Sequence, residues 1–336
     1  MTGHLIIESA GPGISVQDLG RPHGMGLGLS RGGAADRQAF LMGTALLGNP
    51  QGAAALEMTV GGGKFRVDFS TRIALTGARL RASINGSSIE TNATYRMTPG
   101  DRLDIGPAEG GVYGYLHFAG GLLTDEELGG RGRHRIAGLG PDLGAGDRLP
   151  LGDDPEPDAP LLRLEPESPG TQPIRVIPGP QTALFPQDVL DRFEATAFTR
   201  SPRGNRQGVR MDQDGAPFAT EAQLGQVSDF ICEGDIQMTG DGTPFVLLSE
   251  CQTMGGYPRI GTVIPADLPR IAQALPGAQI RFRFVPLDEA EATWRTDDEI
   301  YRSFRKARAP RIRDPREMAD LLSYELIHRP PDDIVG

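Results

Sequence analysis

The stretch KFRVDFSTRIALTGARLRASI, residues 64–84, decides the fold class. It holds three short runs, 64–69, 72–75 and 80–84, with apolar and polar side chains alternating in the first and last, and turn-forming residues separate them. A period of two places alternate side chains on opposite faces of a strand, whereas an amphipathic helix needs a period near 3.6. Outward from it the pattern repeats at 4–8, 102–105 and 112–118, then at 174–177, 230–232, 235–238, 244–248 and 279–285. The 46 glycines and 28 prolines are spread between these runs rather than massed in one tract, as many short strands joined by turns require. The expectation is a mostly β protein with a few helices. One helix is predicted from Asp36, a plausible N-cap, to Leu47, where Gly48-Asn49-Pro50 stops it. Others are predicted over 186–193 and over 266–274, the latter stopped by Pro276-Gly277.

At 336 residues the chain has room for two cores of ordinary size. Residues 150–173 are crowded with Pro, Asp and Glu and read as the crossover between two lobes, 1–159 and 160–287. A faint internal echo agrees: LEMTVGGG at 56–63 resembles SECQTMGG at 249–256, and PGDRLDI at 99–105 resembles PGAQIRF at 276–282. Residues 288–336 form a charged, partly helical extension with seven Lys or Arg between Arg302 and Arg316. That run reads as a solvated helix on the outside, with a docking patch for an acidic surface as the other reading.

Composition excludes several classes. A net charge of -10 repels a phosphate backbone, so nucleic acid is not an expected partner. The two cysteines, Cys232 and Cys251, lack metal-ligand spacing and are expected as reduced thiols, and the five histidines are scattered, so no metal is expected. No signal peptide and no apolar run of membrane-spanning length is present, which predicts a cytoplasmic protein off the membrane.

Three segments could carry chemistry. In VQDLGRPHGMGLGLSRGGAADRQAF, residues 16–40, five glycines at 24, 26, 28, 32 and 33 let backbone approach a ligand, with Asp18, Arg21, Arg31 and Asp36 alongside. The same residues also suit tight turns locked by an ion pair. In ECQTMGGYP, residues 250–258, a carboxylate, an amide, a hydroxyl and a phenol follow the apolar run FVLLS and could grip an amide or lactam, or could only satisfy nearby backbone. In SPRGNRQGVR, residues 201–210, Arg203, Arg206 and Arg210 could clamp carboxylate or phosphate oxygens, or form surface ion pairs. His134, inside RGRHR, is a candidate surface binding group.

Absent motifs also inform. Gly61-Gly62-Gly63-Lys64 lacks a phosphate-loop frame, because Met58 stands where its first glycine belongs and Phe65 follows the lysine. There is no serine nucleophile elbow and no biotin-attachment lysine motif. Any ATP or biotin chemistry therefore needs another chain.

The order of these segments resembles the family known as KipA, as the C-type subunit of 5-oxoprolinase or as allophanate hydrolase subunit 2, also called biotin-dependent carboxyltransferase. The resemblance runs from about Leu5 to Val285 on VQDLGRPHGMG at 16–26, GGAAD at 32–36, LLGNPQGAAALE at 46–57, LTGA at 75–78, VIPGPQ at 176–181 and QTMGGYPRIGTVIPADLPRIAQALPG at 252–277. It implies tandem cyclophilin-like β-barrel lobes. It further implies one component of an ATP-dependent complex that opens 5-oxoproline to glutamate, with a KipI-like B-type component and a separate LamB/YcsF-type component as partners. Two other activities are implied as alternatives: transfer of CO2 from carboxybiotin to urea or a related amide, and regulation of a sensor histidine kinase by binding. The chain departs from the family's R-M-G-Y-R-L at residues 206–211 and from its V-P-G-A-I-Q at 232–237, keeping Arg206, Gly208 and Arg210.

On this basis the expected catalytic set is Asp18, Arg21, Glu57, Arg206, Arg210 and Glu250. Arginines would stabilise charge developing on a lactam oxygen, and carboxylates would orient or exchange protons. The expected substrate contacts are Gln17, Gly32, Asp36, Asn49, Gly208, Gln252, Thr253, Gly255, Gly256 and Tyr257, around a small lactam, urea or amide.

Overall fold

The computed structural model describes residues 3–59, 61–165, 170–218 and 227–311. Strands dominate, as the alternation predicts, and they form two large sheets. The first has eleven strands and the second eight. Each encloses its own apolar core: Leu5, Phe65, Ile73, Leu75 and Phe118 lie in the first, Val176, Phe198, Val246 and Phe282 in the second.

Two long strands, Thr71–Ile84 and Arg102–Phe118, form the spine of the first sheet. They pair antiparallel from Ile73 opposite Phe118 to Ile84 opposite Leu103, with register shifts around Arg79 and Leu80. The sequence reads each as two strands because Gly77 and Gly106-Pro107 look like breaks. The structure instead absorbs them as bulges in continuous strands, which bend the sheet toward a nearly closed barrel. Leu162–Arg163, inside the predicted crossover, adds to this same sheet beside Ala93–Met97.

In the second sheet the two end strands, Gln279–Ile280 and Phe282–Phe284, are separated only by Arg281. Opposite edges of the sheet are therefore joined through one residue, which curls it into a barrel and protects both edges. Its core holds a ring cluster: Phe193 stacks on Phe282 with centroids 5.1 Å apart and meets Phe198 at 5.3 Å.

Among the described residues five α-helices decorate the sheets: α1 (Arg37–Leu47), α2 (Gln187–Ala195), α3 (Leu268–Gln273), α4 (Leu287–Glu291) and α5 (Asp297–Ala307). The predicted start of α1 holds, since the Asp36 side chain accepts from Ala39 N at 2.9 Å. Helix α5 carries part of the basic run and packs on the first lobe. Tyr301 donates to Asn49 O at 2.8 Å, Phe304 joins Leu46 and Leu47, and Arg305 and Arg308 pair with Glu156. The outer-helix reading fits residues 302–307; beyond the helix end Ala309–Pro310 is instead a short strand beside Leu162–Arg163, and residues 312–316 lie outside the described ones. No helix among the described residues is long and apolar enough to cross a membrane.

Candidate functional site between the lobes

Glu57 lies on the strand Ala55–Thr59, opposite Tyr115 on the neighbouring strand, with no exposed surface. Direct pairing puts both side chains on one face, and Tyr115 Oη donates to Glu57 Oε2 at 2.9 Å. The Ala35 amide donates to the same oxygen at 2.9 Å. Arg206 reaches this carboxylate from the other lobe, from the turn between Phe198–Asn205 and Gly208–Asp212. Its Nη1 donates to Glu57 Oε1, its Nε to Glu250 Oε1 at 2.5 Å, and its Nη2 to Gly33 O at 2.5 Å. Glu250 Oε2 accepts from the Arg135 amide at 3.1 Å.

Electrostatics follow from two buried carboxylates around one guanidinium. Burial pulls the Arg206 pKa down, but Glu57 and Glu250 outweigh it and hold the guanidinium above its ordinary range. Burial, with Glu57 nearby, pushes the Tyr113 phenol up to about 12. Tyr115 rises too, from burial first and then from Glu57 and Asp36.

A second tier ties the lobes. Gln273 of α3 donates to Asp36 Oδ2 at 2.9 Å and accepts from the amides of Val112 and Tyr113 at 2.8 and 3.0 Å. Backbone links add to it: Gly32 N donates to Ser249 O at 2.9 Å, in a left-handed conformation (φ 63°) that favours glycine.

Beside this network a cavity of about 270 Å³ opens between the lobes, lined by Gly28, Leu29, Ser30, His134, Gln252 and Thr253, with Ile136, Cys251 and Met254. Thr253 Oγ1 donates to Gly28 O at 2.9 Å, while the Gln252 amide is exposed and has no hydrogen bond among the described residues.

The structure thus gathers Glu57, Arg206, Glu250, Gly32, Asp36, Gln252 and Thr253 at one junction. Asp18 and Arg21 sit behind it as braces. Asp18 accepts from the amides of Gly20 at 2.7 Å and Arg131 at 2.6 Å, and buried Arg21 donates to the carbonyls of Glu127 and Gly130 at 2.8 and 3.2 Å. The locked-turn reading describes this pair, though the locks run to a second loop rather than to each other. Gln17 likewise donates to Arg133 O at 3.0 Å.

Four sets of expected residues stand apart from the junction. Asn49 closes the end of α1, donating to Phe118 O at 2.7 Å. Arg210 pairs with Asp212 at 2.6 Å and borders another cavity, of about 480 Å³, with Ser201 and Arg203. Gly208 lies within the second sheet opposite Leu247, where a Cβ would come 2.9 Å from Val246 O. Gly255 pairs with Asp229 in a short two-stranded sheet, Gly256 follows it, and Tyr257 is 48% exposed outside the cavity lining. Sequence reading misses Ser30, Tyr113, Tyr115 and Gln273. Only Tyr113 and Tyr115 leave a local trace, two residues apart and so on one face of the strand run 112–118.

The family profile described as carboxyltransferase domain, subdomain A and B, matches residues 27–284. The chain belongs to this carboxyltransferase-domain family. Among its members, the C-type subunit of the Escherichia coli 5-oxoprolinase is 33% identical over 292 residues, which cover 85% of this chain and 93% of that protein. The urea amidolyase of Lachancea kluyveri is 28% identical over 82% of this chain but only 16% of its own length. The crystal structure of TTHA0988 superposes with a TM-score of 0.74 at 30% identity over 84% of this chain, and the chain spans 56% of that solved chain. The matched span of the carboxyltransferase-domain family includes Ser30, Glu57, His134, Arg206, Glu250 and Gln252. Chemically, their arrangement offers a small cavity with neutral donors, backed by a fixed, solvent-excluded charge cluster.

Proposed function

We propose that this chain is the C-type component of an ATP-dependent 5-oxoprolinase complex, which opens the lactam of 5-oxoproline to glutamate. It would act in the cytoplasm with a KipI-like B-type component and a separate LamB/YcsF-type component. The observation that carries the reading is the match to the Escherichia coli 5-oxoprolinase component, which extends over 93% of that protein. The geometry supports it. A cavity of about 270 Å³ lies just below the usual range of ligand pockets, roughly 300–1,000 Å³, and suits a five-membered lactam better than a nucleotide. ATP therefore fits the complex better than this cavity. The site supplies the Ser30 hydroxyl and Gln252 amide for the polar edge of an amide, and the Glu57–Arg206–Glu250 cluster holds the cavity walls in register.

Transfer of CO2 from carboxybiotin to a urea-like acceptor is the second reading, favoured by the similarity to a urea amidolyase. The deciding experiment reconstitutes the chain with its KipI-like and LamB/YcsF-type partners and measures ATP-dependent glutamate release from 5-oxoproline. Release above that of the complex lacking this chain is expected. Its absence, with carboxylation of urea by a biotin carrier instead, would replace the reading by the second.

A further inference from the structure

Of the polar side chains around the inter-lobe cavity, Thr253 is engaged by the protein itself, the Gln252 amide is exposed and without a hydrogen bond among the described residues, and the Ser30 hydroxyl is only half used. Thr253 gives its proton to Gly28 O, but among the described residues Ser30 Oγ makes a single hydrogen bond, 3.0 Å from His134 Nε2. The direction of that bond follows from the other ring nitrogen. His134 Nδ1 faces the Ala137 amide at 3.4 Å, and an amide N–H can only donate. Nδ1 is thus the acceptor and the ring proton sits on Nε2. Nε2–H donates to Ser30 Oγ, so the serine proton is directed elsewhere, and both residues line the cavity.

The ring is held firmly in this pose. His134 and Leu139 exchange two backbone hydrogen bonds, 2.9 and 3.2 Å, and a Cβ on Gly32 would stand 3.0 Å from His134 Cδ2. Burial lowers the His134 pKa, Glu250 opposes this, and Arg21 and Arg206 reinforce it. The imidazole is therefore neutral at neutral pH and holds the tautomer set by Ala137.

We infer that Ser30 is a fixed hydrogen-bond donor that this cavity presents, beside the exposed Gln252 amide, to a carbonyl oxygen of its ligand, and that His134 is the positioning residue that orients and polarises it. No proton is transferred: the chain Nε2–H to Oγ–H to ligand oxygen strengthens as charge grows on that oxygen. The inference rests on the proposed reading only for the cavity being the substrate site.

The test uses the full chain with 15N-labelled histidine and long-range proton–nitrogen spectra, the His134→Gln variant assigning the His134 signals among five histidines. The expected spectrum shows the Nε2-protonated tautomer of a neutral ring near neutral pH. Addition of 2-pyrrolidone, a minimal lactam, should shift the His134 ring signals. Ser30→Ala should weaken binding about tenfold, a loss of about 1.4 kcal/mol, while Ser30→Thr keeps the hydroxyl and the shift. An Nδ1-protonated ring, no shift at saturating 2-pyrrolidone, or equal binding by Ser30→Ala would overturn the inference. If the reconstituted complex releases no glutamate while these signatures hold, the function assignment fails and the donor pair stands.

Discussion

Arg206 of the second lobe and Glu57 of the first form a buried ion pair, closed on the far side by Glu250. An ion pair excluded from water is favourable only while both partners are present, because either one alone is a desolvated charge. Arg206→Met should therefore destabilise the protein by about 3–5 kcal/mol in urea unfolding near neutral pH. The sign of the pH dependence is fixed. Without the guanidinium, buried carboxylates have folded pKa values above their unfolded ones, so they penalise the fold at high pH and less as they protonate. The deficit should be larger at pH 8 than at pH 5, and an equal deficit at both would mean that the carboxylates stay solvated.

Gly32 connects the lobes and the cavity. A methyl group there meets His134 Cδ2 at 3.0 Å, on a backbone with φ 63° that disfavours other residues. Gly32→Ala should cost about 1–3 kcal/mol in stability and displace the imidazole from Ser30. In the reconstituted complex, KM for 5-oxoproline should rise more than melting temperature falls in proportion. A purely thermal effect, with KM unchanged, would place the ring outside substrate binding.

His117 gives a pH-dependent term unrelated to the cavity. It is buried between Phe40 and Tyr115, neither ring nitrogen has a hydrogen-bond partner among the described residues, and burial depresses its pKa to about 3. Below the ordinary value of about 6.5 the unfolded chain takes up a proton that the folded chain refuses until about pH 3. Stability therefore falls with pH across that window, by about 2 kcal/mol from pH 7 to 5 for this one group. His117→Leu should flatten this slope, and a variant with wild-type pH dependence would show that the imidazole is solvated.

How much of this is legible in the sequence differs between levels. Strand identity is, because the period of two survives in runs such as 102–105, and so is the start of α1 at Asp36. Strand continuity is not. Gly77 and Pro107 look like chain breaks, and only pairing partners show that they are tolerated at bulges. The weak echo between 56–63 and 249–256 carries more than its length implies. Its second positions, Glu57 and Glu250, are the two carboxylates that meet Arg206, each supplied by its own lobe. Ser30 and Gln273 leave no such trace, since their roles arise only where residues more than a hundred positions apart meet.

Gln273 tests whether the second tier matters independently of the ion pair. Its amide accepts two backbone N–H groups, from Val112 and Tyr113, while its Nε2 supports Asp36, whose own pKa burial raises. Gln273→Ala removes these three contacts together with a fourth, from Nε2 to Tyr113 O at 2.8 Å, and leaves buried amides without partners, at about 1–3 kcal/mol. Gln273→Glu is the sharper variant. It keeps an acceptor for the two amides but sets a second carboxylate against Asp36, in a site that already disfavours charge. Its deficit should therefore shrink as pH falls and one of the two carboxyls protonates, whereas the Gln273→Ala deficit should stay nearly constant. Urea unfolding of both variants at pH 5 and pH 8 separates the outcomes. Parallel behaviour would show that the α3 contact is a packing contact, with the Asp36 hydrogen bond contributing nothing measurable.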